Sequence, residues 1–502
     1  MDQTSPTRAA EPSTQLAPGR RRWVLIGCMA IMFMTAVEGS IIATAMPSIV
    51  AELGGYHHFA WAFSAYLLAQ AVTIPIYGRL SDLYGRKRVF FVGASFFALG
   101  SLACGFAPSM IALILARAVQ GLGAGGIMPI GQTIIGDVYS PTERSKIQGY
   151  LSSMWGISAV IGPLIGAFIV EQLSWPLVFW FNIPLAIAVM VLLSIVLPEN
   201  MRRAAHSLDV AGALLLVVAI GSLMLVLLQG AQMGPTALGV GAVSLVAFAL
   251  FAWQETRAVE PLLPFVLWRD KVLRTCISGS LFIGATSMGV TAFLPTYVQG
   301  VMGRSAFIAG GVLAALSIGW PVAATIAGQL MNKTSYRLTA TTGGCLLVVG
   351  ALILTQINHF SGVAYATMGS FVIGMGLGMC NSPFMVAVQD ASAWSVRGIA
   401  TASNTFLRMV GAGLGAALMS GVLNLTLASR GGLATDAAEI LVDPERRAAL
   451  APDRIAELAG AVADGITFAF TAAVFLACAV VAIALNLPPK AKPGQLAQRG
   501  QN

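Results

Sequence analysis

The sequence predicts an all-α integral membrane protein of six, two and six transmembrane helices with both termini in the cytoplasm, and three observations lead there. Of 502 residues, 57% are hydrophobic and only 10% are charged, whereas a soluble domain carries about 25% charged residues. So few charges cannot cover a water-exposed surface, and the excess apolar surface is left to face lipid. Fourteen mostly apolar runs of roughly 17 to 25 residues follow one another, each long enough to cross a bilayer. Lys and Arg concentrate in alternate segments between those runs, which sets the orientation by the positive-inside rule.

Residues 1–22 are polar and Pro-rich and read as a disordered cytoplasmic tail ending in Arg20, Arg21 and Arg22. The first span, about 23–50, is too long for a signal-peptide core and lacks a small-residue cleavage site, so it stays as a helix. Spans near 60–78, 89–107, 110–134, 148–169 and 177–197 complete an N-terminal six-helix bundle over 23–198. Two inserted helices, near 209–229 and 236–254, occupy 199–255. A C-terminal bundle over 256–487 holds spans near 274–298, 306–327, 338–356, 362–386, 397–425 and 463–487, and 488–502 is a second cytoplasmic tail. The 426–462 loop, acidic and basic together, reads as short amphipathic helices capping the outer face. With the N-terminus inside, 22 of the 29 basic residues lie in inside segments and five outside, while Arg117 and Arg408 fall within spans. The net charge of +8 thus reports topology, and no nucleic-acid partner is implied. All six cysteines sit in apolar runs, with no Cys-x-x-Cys pair and no clustered His, so they read as packing residues and not as metal ligands.

An internal repeat runs at an offset of 253 residues, placing Asp137 and Arg144 on Asp390 and Arg397, and Gly162 on Gly415. Two equivalent six-helix halves with an inserted pair between them are the simplest architecture it supports.

Inside a membrane an ionisable side chain costs roughly 2.5 to 3.5 kcal/mol on insertion scales, so each one needs a reason. Glu38 stands mid-span in FMTAVEGSIIATAMPSIV. Burial penalises its charged form, which makes it the proton-coupling candidate, against the alternative of a Glu held permanently by a neighbouring helix. Arg117, in LILARAVQGLGAGGIMP, cannot lose its proton and must find carbonyls, Gln120 or a carboxylate. It either tunes a nearby acid or bridges helices. Arg408 reads as the least demanding of the three, reaching the interface by extending its side chain.

The loop after the second span, GRLSDLYGRKR at 78–88, combines Gly78 and Gly85 for a tight turn, Asp82 for a helix N-terminus, and Arg86, Lys87 and Arg88 facing the cytoplasm. A topology anchor needs only the basic residues; the added glycines and acid suggest a gate. GRLSDLYGRKR resembles the signature of the major facilitator superfamily between its second and third helices. LARAVQGLGAGG is similar to the superfamily's fourth-helix motif, and GISAVIGPLIGA at 156–167 to its fifth-helix antiporter motif, with Ala167 where a second Gly is usual. With fourteen spans, VEGSIIATAMPSI and SWPLVFWFNIPL, residues 23–487 resemble the fourteen-helix drug:proton antiporters. A degenerate copy of the loop, GQLMNKTSYR at 328–337, lacks the acid and the second Gly.

The resemblance implies the major facilitator fold, proton coupling at Glu38 with Arg117, and gating by Gly78, Asp82, Gly85, Arg86 and Asp137. Gly156, Gly162 and Gly166, with Pro163 bending the helix, form a small-residue face suited to packing against the other half. Gln70, Gln132, Asn182, Asn381 and Asn404 supply polar groups for a substrate cavity, and Trp155, with Met128, Met288 and Met379, an adaptable apolar surface suited to amphipathic or cationic molecules. No nucleotide-binding loop or hydrolase triad is present. The expectation is a cofactor-free, non-enzymatic, proton-coupled multidrug exporter of the cell's inner membrane, working as a monomer or with a periplasmic adaptor. Dedicated export of one lipid, siderophore or antibiotic, and a transporter-like sensor, are the alternatives. The inserted helices, free of ionisable residues between Asp209 and Glu255, read as accessory.

Overall fold

The computed structural model describes residues 16–54, 59–198, 209–258, 261–263, 266–357, 362–429, 437–442 and 444–496. The expected tail over 1–15, the 199–208 link, the 430–436 part of the long loop and 497–502 lie outside the described residues. Among those described, every regular element is helical.

The first six spans are α1 (Pro18–Leu53), α2 (Phe59–Tyr84), α3 (Arg86–Gly105), α4 (Met110–Val138), α5 (Pro141–Gln172) and the broken pair α6 (Pro176–Trp180) and α7 (Asn182–Val196). The break has a cause in sequence: Pro184 cannot donate to the Trp180 carbonyl and its ring crowds it. The inserted pair is α8 (Val210–Met233) and α9 (Thr236–Glu255). A short α10 (Val266–Arg269) leads into α11 (Lys271–Thr296), which ends in a π-turn (Tyr297–Val301) that begins two residues beyond Pro295. Then come α12 (Ala306–Lys333), α13 (Tyr336–Thr355), α14 (Gly362–Ala391), α15 (Arg397–Ser429), the short α16 (Ala437–Val442) and α17 (Pro444–Ala448), and α18 (Pro452–Ala484). Thirteen helices among the described residues are long and apolar enough to cross a membrane; α2, at 26 residues, completes the fourteen.

Polar residues start these helices where the sequence places them. Ser140 and Glu143 form a reciprocal capping box on α5, and Asp209, Asp270, Ser305 and Ser335 cap α8, α11, α12 and α13. Two boundaries correct the sequence reading. Arg20, Arg21 and Arg22 belong to the first turns of α1, where Arg21 pairs with Glu143 at 2.6 Å and stacks over Tyr139. The 452–462 stretch is the start of α18 and not a separate surface helix, because Pro452 opens one unbroken helix of 33 residues.

Both six-helix sets pack in one pattern. In the first, α4 lies between α2 and α3, and α1 packs along α5 and α7; in the second, α14 lies between α12 and α13, and α11 along α15 and α18. The sets meet through equivalent crossings, α5 on α12 and α2 on α15. The inserted α9 packs on α8, and α8 lies against both α2 and α15, covering that seam.

Without a hydrophobic force between helices in lipid, close approach of small residues carries the packing. At the α11–α15 crossing a Cβ on Gly411 would collide with the Leu281 backbone. Gly131 meets nothing within 4 Å. Gly411→Val is therefore expected to lower the thermal stability of the detergent-purified protein by about 1–3 kcal/mol, and Gly131→Ala to leave it unchanged or slightly raised. Thermal-shift scans check both, and equal behaviour of the two variants would contradict close packing at this crossing.

Candidate functional site

Three constellations of polar residues stand inside or at the end of this apolar bundle. In the first, Glu38 on α1 is wholly buried. Its Oε1 accepts from Arg117 Nη1 at 2.5 Å and Gln120 Nε2 at 2.9 Å, and its Oε2 accepts from Asn182 Nδ2. Arg117 also donates from Nε to the Ala62 carbonyl at 3.1 Å and from Nη1 to Gln120 Oε1 at 2.6 Å, and lies over the Tyr66 ring at 4.1 Å. The charge of each partner answers the other, and additional hydrogen bonds reach both carboxylate oxygens and two of the guanidinium nitrogens, the kind of support a buried ion pair requires. Asn182, expected in the substrate cavity, belongs here. Its position beside the α6–α7 break points it into the bundle toward the Glu38 carboxylate.

The second constellation closes one end of the molecule, the end carrying residues 78–88. Gly85, at φ 96°, turns the chain between α2 and α3, a backbone conformation that favours glycine. Gly78 does not serve the turn; it lies against Gly398, Ile399 and Ala402 of α15 so closely that a side chain would collide. That contact brings Asp82 to the N-terminus of α15, where its carboxylate accepts from the Gly398 and Ile399 N–H groups, each at 2.8 Å. The first N–H groups of a helix have no intrahelical partner and carry the positive end of its dipole, so a carboxylate satisfies both needs. Arg86 bonds Asp82, Asp137 Oδ2 at 3.0 Å and the Trp394 carbonyl at 2.9 Å. Arg397 Nη1 donates to Asp137 Oδ1 at 2.8 Å and to the Gly136 carbonyl at 3.3 Å. Two acids and two arginines, contributed by both six-helix sets, thus form one network. Arg397 is absent from the gating set read from the sequence, although the 253-residue repeat singles it out as the counterpart of Arg144.

The degenerate loop mirrors this arrangement with weaker chemistry. Asn332, at the place of Asp82, donates to Ser145 Oγ at 2.6 Å near the start of α5. Tyr336, at the place of Arg86, donates to Asp390 Oδ2 at 3.1 Å, which also accepts from Gly494 N at 3.0 Å. Among the described residues no ion pair joins the helices at this second crossing, whereas the network at the first holds three carboxylate–guanidinium contacts, of which Arg397–Asp137 spans the two sets.

The third constellation is a cavity between the two sets. It consists of two chambers of about 340 Å³ and about 250 Å³ that share Met128, Trp155, Ser287, Trp320 and Arg408. Gln132 and Asn381 line the first chamber, Gln70 and Met288 the second. Asn404 does not reach it: buried in the second set, it donates to Ser280 Oγ at 2.7 Å. Met379 is likewise core. Arg408 departs most from the sequence reading. It sits eleven residues into α15 from Arg397, roughly 16 Å along the helix axis, too deep to extend to the interface. Its distance from the helix start was the signal that marks it.

The antiporter-motif glycines divide their contacts. Gly156 lines the first chamber and abuts the Ser317 carbonyl of α12 in the other set, whereas Gly162 and Gly166 abut Ser40, Ile41 and Thr44 of α1 in their own set. The expectation of one continuous face against the other half is corrected: Pro163 lies inside α5, and the helix leaves α12 for α1 along its length.

The profile of the Major Facilitator Superfamily matches residues 28–416. Two Bacillus subtilis (strain 168) proteins are similar over most of both chains. The multidrug transporter protein MdtP is 32% identical over 421 residues, covering 83% of this chain and 77% of its own. Multidrug resistance protein 3 is 34% identical over 405 residues, covering 80% and 79%. Among solved structures, the proton:xylose symporter XylE superposes with a TM-score of 0.66 at 12% identity, covering 96% of this chain and 99% of its own, a likeness of fold. Both the sequence match and the paired six-helix architecture place this multi-pass membrane chain in the major facilitator superfamily.

Proposed function

We propose that this chain is a proton-coupled efflux transporter of the plasma membrane, exporting amphipathic small molecules by alternating access, with the 78–88 end and both termini in the cytoplasm. The observation that carries the reading is a cavity built by both six-helix sets, latched shut by ionic contacts at one end, with a buried titratable acid on the far face of a helix that forms part of its wall. Ala36 and Ser40, on either side of Glu38, line the cavity. The orientation rests on the concentration of Lys and Arg in the segments assigned to the inside. Relatives named as multidrug transporters at 32–34% identity support export, and one chain supplies the whole cavity, which suits a monomer.

The coupling follows from the pair chemistry. Protonating Glu38 removes the charge that answers Arg117, so the guanidinium must find another partner and the contacts of α1 with α4 and α7 rearrange. Since α1 also lines the cavity, proton and substrate then compete for one helix arrangement. Inserted helices α8 and α9 line neither chamber, and their proposed role is accessory.

Glu38→Gln keeps an acceptor for Arg117 but cannot titrate. Proteoliposomes bearing it are expected to lose uphill transport driven by a pH difference while retaining substrate exchange at equal pH; persistence of pH-driven accumulation would remove Glu38 from coupling. Asp82→Asn weakens the latch without touching the cavity. A loss of about 1–3 kcal/mol shifts the inward to outward ratio by roughly 5- to 150-fold, which cysteine labelling from the two sides reads directly. Lost substrate binding at an unchanged ratio would overturn the latch role.

A further inference from the structure

Arg408 is the single charged side chain among the residues lining the two chambers, and no Asp, Glu or Lys lines either. It belongs to both linings, together with Trp155 and Trp320. The other membrane-embedded arginine, Arg117, is paired with Glu38 and also bonded to Gln120 and the Ala62 carbonyl. Arg408 makes no hydrogen bond or ion pair among the described residues. A guanidinium keeps its proton under all ordinary conditions, so the cavity carries a permanent positive charge with no carboxylate set against it. Such a charge at mid-membrane depth is retained where it marks the path of a substrate.

The surroundings complete a binding site for a molecule of mixed character. Trp155 and Trp320 line both chambers with Arg408 and supply apolar aromatic surface, with Met128 shared between the chambers as an adaptable wall. Gln132 and Asn381 supply uncharged hydrogen-bonding groups. The size suits drug-like ligands, whose pockets span roughly 300–1,000 Å³. A cation entering this cavity meets repulsion from Arg408 and finds no acid to offset it. An aromatic or apolar body bearing an acidic group meets a planar donor fork matched to carboxylate or sulfonate oxygens.

We infer that the cavity selects organic anions with an apolar body, and that Arg408 is the residue that binds their acidic group. This rests on the transporter reading for its biological sense, and of the amphipathic or cationic cargo expected from the sequence it favours the amphipathic class. Gln132, Asn381 and the tryptophans set the tolerance for the rest of the molecule.

The test uses the full-length chain in neutral-lipid nanodiscs and three probes with one ring system: naphthalene sulfonate, naphthylmethanol and naphthylmethylammonium. Equilibrium binding is read from quenching of tryptophan fluorescence, with parallel transport in proteoliposomes. Wild type is expected to bind the sulfonate at least about tenfold more tightly than the ammonium probe, the factor a charge-assisted contact supplies. Arg408→Gln is expected to abolish that preference while leaving naphthylmethanol binding within about twofold, and Arg408→Lys to restore part of it. Equal or tighter binding of the ammonium probe, or an unchanged sulfonate affinity in Arg408→Gln, overturns the inference. Retained naphthylmethanol binding in the variant shows that its fold is intact. Anion-selective binding without transport by wild type would defeat the transporter reading and leave this inference standing; transport with selectivity indifferent to Arg408 does the reverse.

Discussion

The contact between Asp82 and the N-terminus of α15 is the interaction on which the arrangement of the two halves depends. A carboxylate from one six-helix set satisfies two N–H groups that the helix of the other set cannot satisfy itself. An anion at a helix N-terminus contributes up to about 2 kcal/mol in partly buried geometry. That is enough to bias two arrangements and small enough to be reversed. Everything nearby serves the contact: Gly78 lets α2 and α15 approach, Gly85 turns the chain so that Arg86 can reach both Asp82 and Asp137, and Arg397 ties Asp137 to the opposite set. The second half repeats the geometry with Asn332 and Tyr336, neutral groups that make hydrogen bonds and no ion pair. The ionic strength of the closed end is therefore concentrated at the α2–α15 crossing, the seam that α8 also covers.

Lipid imposes the second constraint, that charge inside the bundle be answered or used. Glu38 and Arg117 answer each other, and the amides of Gln120 and Asn182 add hydrogen bonds to the pair. Removing either charge leaves the other buried and alone, a loss of roughly 3–5 kcal/mol for such pairs, so a proton arriving at Glu38 has structural consequences far larger than its size. Arg408 is left to the cavity. One arginine thus belongs to an internal ion pair and the other lines the cavity.

Much of this was legible in the sequence because the signals are local. Run lengths gave the fourteen spans. The 78–88 motif announced its own turn at Gly85 and its acid at Asp82. What escaped depends on which way a side chain faces. A helix apolar all round carries no periodic signal of orientation, so Asn182 and Asn404 could not be told from cavity residues, nor Gly162 and Gly166 from residues facing the other half. Arg397 was marked by the internal repeat, but its partners Asp137 and Gly136 lie on a helix distant in sequence; Arg408 lies deep in its span, yet that it faces the cavity depends on the packing of helices from both sets. α18 was begun late because charged residues over 453–457 hid a helix that Pro452 starts.

The central claim is that the 78–88 end is a reversible latch held by the Asp82, Arg86, Asp137 and Arg397 network. Pulsed electron–electron resonance between spin labels at Tyr84 on α2 and Lys333 on α12, one on each half and both outside the network, tests it most directly. Two distance populations are predicted for the reconstituted protein, with Arg397→Gln moving weight to the longer one. A single distance, the same with and without Arg397→Gln, would contradict the account.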